Sequence, residues 1–173
     1  AEVALEMCCG ELDQMNSAFQ IDESTDTYKK RIKQKTAYLI SACCELGAYI
    51  SGASREIVAA LRYYGEAIGM AFQITDDILD YQLNNMTLGK VIGGDIREGI
   101  ATLPLIYAAK HSSQRERILS IFSKKQKGEE EVREVIGLVS ACGGIRYAED
   151  IAEKHIAEAK KAVEIIEDRE LRE

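Results

Sequence analysis

The sequence predicts an all-α fold of six or seven helices, and three observations carry that prediction. Apolar residues recur three and four positions apart along nearly the whole chain, and no strand-length run alternates strictly. One proline and no tryptophan in 173 residues leave little of the turn-rich character of sandwiches and barrels. The 46% apolar and 29% charged residues are ordinary for a soluble globular chain that can bury one sizeable core, so a single helical domain over 1–173 is expected.

The first helix covers roughly 2–19. The acidic run Asp22, Glu23, Ser24, Thr25, Asp26 then forms a loop that ends in an N-cap for a helix carrying Tyr28 to Lys35. The apolar stretch through Tyr49 stops near Gly52. A long helix from Ser54 to about Leu83 has the largest apolar face: Ile57, Ala60, Leu61, Tyr64, Ile68, Ala71, Phe72, Ile78 and Leu79.

Residues 84–99 hold four glycines and little periodicity, which predicts a functional loop or a short broken helix. Thr102 and Pro104 fit an N-cap and first turn. A helix near 114–123, the basic turn Lys124 to Gly128, and a helix to about Cys142 follow. After Gly143 and Gly144 a final helix runs to the end, its Glu and Lys or Arg residues alternating as on a solvated face.

A formal net charge of −7, with 22 Lys and Arg scattered along the helices, excludes a nucleic-acid-binding stripe. It leaves room for an anionic ligand if metal cations bridge the two. Cys8, Cys9, Cys43, Cys44 and Cys142 show no CxxC spacing and read as reduced core thiols of a cytoplasmic protein. No apolar run approaches the roughly 20 residues of a membrane span, and the first residues show no charged n-region followed by an apolar h-region. The chain begins at Ala1 inside an apolar pattern, so its true start is expected upstream.

The string Phe72-Gln73-Ile74-Thr75-Asp76-Asp77-Ile78-Leu79-Asp80 carries the most chemical information. Helical geometry stacks Asp76 and Asp80 on one face with Asp77 about a hundred degrees round, so three carboxylates converge within one turn of an apolar helix. Uncompensated, such a cluster costs several kcal/mol, on the order of what a buried unpaired charge costs. A hard divalent cation relieves it, and Mg2+ typically takes one or two carboxylates, several waters and substrate phosphate oxygens. Behind it lies Gly89-Lys90-Val91-Ile92-Gly93-Gly94-Asp95, whose glycines let backbone approach phosphate while Lys90 supplies a point charge. Lys35-Thr36-Ala37, seven residues after Tyr28, is a third element.

Taken in order, Gly10-Glu11 with Gln14, Tyr28 with Lys35-Thr36-Ala37, FQITDDILD, GKVIGGD and Thr102-Leu103-Pro104 resemble the polyprenyl synthetase family, the class I trans-prenyl diphosphate synthases. The resemblance implies the C-terminal part of an isoprenoid-synthase helical bundle. It implies Mg2+-dependent head-to-tail condensation of isopentenyl diphosphate with an allylic prenyl diphosphate. Asp76 would hold the metal, with Asp77 and Asp80 acting through waters and lysines. Lys35 and Lys90 would contact the allylic diphosphate, Thr36 and Gln73 would offer oxygens to the carbocation, and Phe72 would pack near the isopentenyl unit.

Leu83 and Asn84 depart from the family's Gly or Ser followed by Asp, and Ile100 stands where a lysine commonly follows the loop. An earlier DDxxD motif, an arginine pair and a GGKRxRP-like segment are absent. The resemblance therefore implies a half that is inactive alone and partners a missing N-terminal half or a second copy in a homodimer. A non-catalytic subunit of a heteromeric synthase and a terpene cyclase are the alternatives.

Overall fold

The computed structural model describes residues 2–21, 24–82 and 92–166, and among them every regular element is helical. Helix α1 (Glu2–Asn16) is followed by α2 (Thr25–Ile32), a π-helical turn (Lys33–Ala37) and α3 (Tyr38–Ile50). The last three run into one another without a break. Ser24 opens α2, its Oγ accepting the Thr27 N–H at 3.1 Å.

Helix α4 spans Arg55–Leu79, α5 spans Gly94–Glu98, α6 spans Leu103–His111 and α7 spans Arg115–Phe122. Helix α8 (Glu129–Ala141) and α9 (Gly144–Ala162), with a 3-10 turn (Val163–Ile165), follow as the last elements among the described residues. Among the described residues the expected order holds, and no helix there is long and apolar enough to cross a membrane. The expected continuation of the final helix past Ile166 lies outside the described residues.

The chain divides into two compact units, one of Ala1–Leu12, Lys30–Gln73 and Ile151–Glu173, the other of Asp13–Lys29 and Ile74–Asp150. The first unit packs main chain against main chain. A Cβ on Gly65 would lie 2.8 Å from the Ser41 Cα, and one on Gly69 would lie 2.5 Å from the Ala37 Cα. Four residues separate the members of each pair, so one small-residue face of α4 lies on one small-residue face of the π turn and α3. Ser41 Oγ donates to the Arg62 carbonyl at 2.9 Å across the same contact.

The second unit fills its core with branched side chains. Ile74, Ile96, Leu103, Leu105, Ile118, Ile121, Val135 and Val139 are all fully buried. Each contributes about 1.5–3 kcal/mol of burial free energy. Helices α6, α7 and α8 pack on one another here, and Arg117 forks onto Glu134 at 2.7 and 2.6 Å across the α7–α8 surface.

Three expectations are corrected. The five cysteines are not core residues: Cys8 and Cys43 are exposed and the other three are half-buried. The long helix stops at Leu79, four residues early, because Asp80 and Tyr81 turn the chain. Of its apolar face, Phe72 stays 62% exposed and Leu79 39%.

Candidate functional site

Each aspartate of the DDxxD string meets a different environment. Asp76 is exposed near the end of α4. Asp77 is buried and its Oδ2 accepts the Tyr28 hydroxyl proton at 2.7 Å. Asp80 lies just past the helix, where Oδ1 accepts the Gly94 N–H at 2.9 Å and Oδ2 the Asp95 N–H at 3.0 Å. Its carbonyl accepts the Gly93 N–H as well.

Helix α5 is thus pinned to Asp80 at its start, and left-handed glycines make that possible. Gly93 at φ 73° and Gly99 at φ 76° bracket the helix. Phe19, itself at φ 65°, donates its N–H to the Gly99 carbonyl at 2.8 Å, and its ring lies against the Gly99 Cα. Tyr81, buried beside Asp80, shares a 2.7 Å hydrogen bond with the Thr102 hydroxyl. Thr102 is the N-cap of α6 as expected, but its side chain serves Tyr81 instead of the helix amides.

The electrostatic consequence falls on Asp95, in the first turn of α5. Burial, and then the charges of Asp80, Asp77 and Asp76, push its carboxyl from an ordinary 3.8 up to about 7. Four carboxylates thus act on one another here, and Asp95 feels the other three after its own burial. Sequence reasoning placed Asp95 in the glycine string and gave it no role. Its signal was the GxD spacing, which brings it to Asp80 only after the chain folds back.

No three His, Cys, Asp or Glu side chains among the described residues form a closed metal cage. Mg2+ does not require one, since water and phosphate oxygens complete its shell. The donor set fits: hard oxygen ligands carrying excess negative charge, with Asp76 reachable from solvent.

In the first unit the π turn presents Lys35 and Thr36. Thr36 Oγ1 donates to Gln73 Oε1 at 2.6 Å, which fixes both side chains and leaves the hydroxyl oxygen an acceptor. Lys35 Nζ pairs with Glu11 at 2.9 Å. The adjacent Gly10 is buried because a Cβ there would lie 2.9 Å from Lys35 Cγ and 3.1 Å from its backbone nitrogen. The Gly10-Glu11 motif therefore acts on Lys35, one residue for space and one for charge. Extra turns of this π type recur at functional sites.

The Gly65 and Gly69 contact that brings Gln73 to Thr36 was not anticipated, although Gly-x-x-x-Gly was visible in the sequence. Lys90, with Gly89, Leu83 and Asn84, lies outside the described residues. Ile100 donates its N–H to the Asp95 carbonyl at 2.8 Å, so this departure still helps to close the end of α5.

The sequence profile of the polyprenyl synthetase family matches residues 1–139. The chain belongs to the polyprenyl synthetase family. It is 37% identical over 172 residues to the short chain isoprenyl diphosphate synthase of Methanothermobacter thermautotrophicus, covering 98% of this chain and 52% of that protein. It is 35% identical over 159 residues to heptaprenyl diphosphate synthase component 2 of Bacillus subtilis, covering 92% of this chain and 45% of that protein.

Among solved structures, the polyprenyl synthase of Caulobacter crescentus complexed with calcium and isoprenyl diphosphate superposes with a TM-score of 0.92 at 33% identity. That match covers 99% of this chain and 53% of the other. The chain spans about half the length of the curated relatives it matches. The relatives are prenyl diphosphate synthases, and the fold is that of the family's helical synthases.

Proposed function

We propose that this chain is the part of a trans-prenyl diphosphate synthase that binds the allylic diphosphate through Mg2+, for head-to-tail condensation with isopentenyl diphosphate. The observation that carries the reading is the gathering of Asp76, Asp77 and Asp80 around Asp95, whose carboxyl is pushed up to about 7 by burial first and then by those charges. Unrelieved, that repulsion would oppose folding; a divalent cation turns it into binding energy. The Caulobacter relative bound to calcium and isoprenyl diphosphate supports the same ligand class.

Asp76 is the direct ligand, while Asp77 and Asp80, already engaged by Tyr28 and by α5, act through waters. Bound there, Mg2+ supplies charge to the departing diphosphate and lowers the cost of breaking the allylic carbon–oxygen bond. Lys35 and Lys90 hold diphosphate oxygens. Thr36 and Gln73 direct oxygen dipoles at the carbocation, and the exposed ring of Phe72 packs on the isopentenyl unit. The isopentenyl double bond attacks the cation, and loss of a proton completes the product.

Because the relatives are about twice as long, catalysis needs the remainder of a synthase, in the same protein or as a partner. On α1, Leu5, Leu12 and Met15 are exposed at heptad-like spacing, which supports a second copy or a partner chain covering that face. A second reading, a subunit of a heteromeric synthase, is favoured by the relatives named component 2 from Bacillus subtilis and Geobacillus stearothermophilus. The test is Mg2+-dependent incorporation of labelled isopentenyl diphosphate by the complete synthase. Asp76→Ala should abolish most incorporation, and near-normal turnover in that variant would remove Asp76 from the mechanism.

A further inference from the structure

We infer that Tyr28 is a positioning residue for the carboxylate cluster, acting through the hydrogen bond its phenol donates to Asp77. The inference rests on the reading of Asp76 and Asp77 as part of a cation-binding set. Tyr28 is 0% exposed and Asp77 6%, and the 2.7 Å separation is that of a short, charge-assisted O–H···O bond.

Apolar packing explains the ring of Tyr28 but not its hydroxyl. A buried phenol without an acceptor is penalised, and so is a buried carboxylate that loses a donor, so each group needs another polar partner at this depth. The phenol is itself held from behind. Tyr28 sits in the first turn of α2, its N–H bonded to the Ser24 carbonyl at 3.2 Å, and Ser24 caps the same turn. On the other side Ile74 and Ile78 are buried around Asp77 on α4.

Forty-nine residues of chain separate the two partners, so the bond ties α2 to the aspartate-bearing end of α4. Its consequence is a carboxylate fixed in one rotamer before any cation arrives. Metal sites commonly depend on such supporting hydrogen bonds, whose loss costs about 10- to 100-fold in affinity.

Mn2+ is a spectroscopic probe for this site, titrated in the presence of inorganic pyrophosphate and read by electron paramagnetic resonance. Tyr28→Phe should weaken Mn2+ binding about tenfold. In an Asp77→Ala background the same substitution should add nothing, because the acceptor is gone. Wild-type Mn2+ affinity in Tyr28→Phe, alongside lost binding in Asp76→Ala, would overturn the positioning role and leave the site itself standing. Retained binding in Asp76→Ala would instead overturn the reading beneath it.

A thermal unfolding curve without metal separates packing from positioning, since a purely structural role lowers the midpoint and leaves the Mn2+ titration of folded protein unchanged. Should Tyr28→Phe fail to fold, 3-fluorotyrosine at position 28 keeps the shape and strengthens the donor. A shifted Mn2+ affinity then supports the inference, and an unshifted one overturns it.

Discussion

In the unit that contains Thr36 and Gln73, helices touch through Gly65, Gly69, Ala37 and Ser41, and the polar pair they bring together is neutral. In the unit that contains Asp76 to Asp95, branched aliphatics fill the core, and four carboxylates gather beside it. The first arrangement needs close backbones and tolerates no added atoms. The second engages Asp77 with a phenol and Asp80 with two amides. Dipoles can be stored in a folded protein at little cost, whereas like charges remain strained until a cation binds.

The largest test of that contrast is Asp76→Ala, which should lower Mn2+ affinity with pyrophosphate by about 10²-fold or more while leaving the Thr36–Gln73 unit folded. Calorimetric titration of the metal checks it. Gly69→Val attacks the other unit: its side chain would overlap Ala37, and urea unfolding should report a loss of about 2–3 kcal/mol. Equal losses of metal affinity in these two variants would erase the distinction between the units.

Asp95 gives a pH test. Its carboxyl is raised in the folded state, so its contribution is full below the ordinary carboxylate range near 3.8 and is lost as pH rises through about 7. Without metal, the wild-type protein should therefore lose stability between pH 4 and 8, the fall being complete just above pH 7. Asp95→Asn should flatten that fall and be more stable at pH 8 by about 1–2 kcal/mol, allowing for screening by water. Thermal unfolding at both pH values measures the difference, and added Mg2+ with pyrophosphate should shrink it.

Smallest is Thr36→Val, which removes the donor to Gln73 and should cost about 1 kcal/mol in urea unfolding. Metal affinity should not change. In a complete synthase the same variant should lower turnover more than it alters the Mg2+ requirement.

Much of this was legible because helices announce themselves locally. The 3.6-residue period located α1, α4, α6, α7 and α8, and Ser54, Thr102 and Pro104 marked starts that the chain uses, whereas α2 begins at Thr25, inside the stretch expected as a loop. The DDxxD string and Lys35-Thr36 were visible as residue types. Their partners were not. Tyr28 reaches Asp77 across 49 residues, Asp95 reaches Asp80 across 15, and Thr36 reaches Gln73 across 37. Neither helical period nor spacing encodes such meetings. The cysteines misled for a related reason: composition says that thiols prefer interiors, but only packing decides which side of a helix is interior.

The sequence by itself determined an all-helical chain, an acidic cluster with no basic stripe, and the family to which it belongs. Tertiary structure decided which carboxylate stays open to solvent, which are held by hydrogen bonds, and where negative charge accumulates. The reason is physical. Helix formation depends on neighbours within four residues, whereas the state of a charged group depends on burial and on charges that only folding brings near.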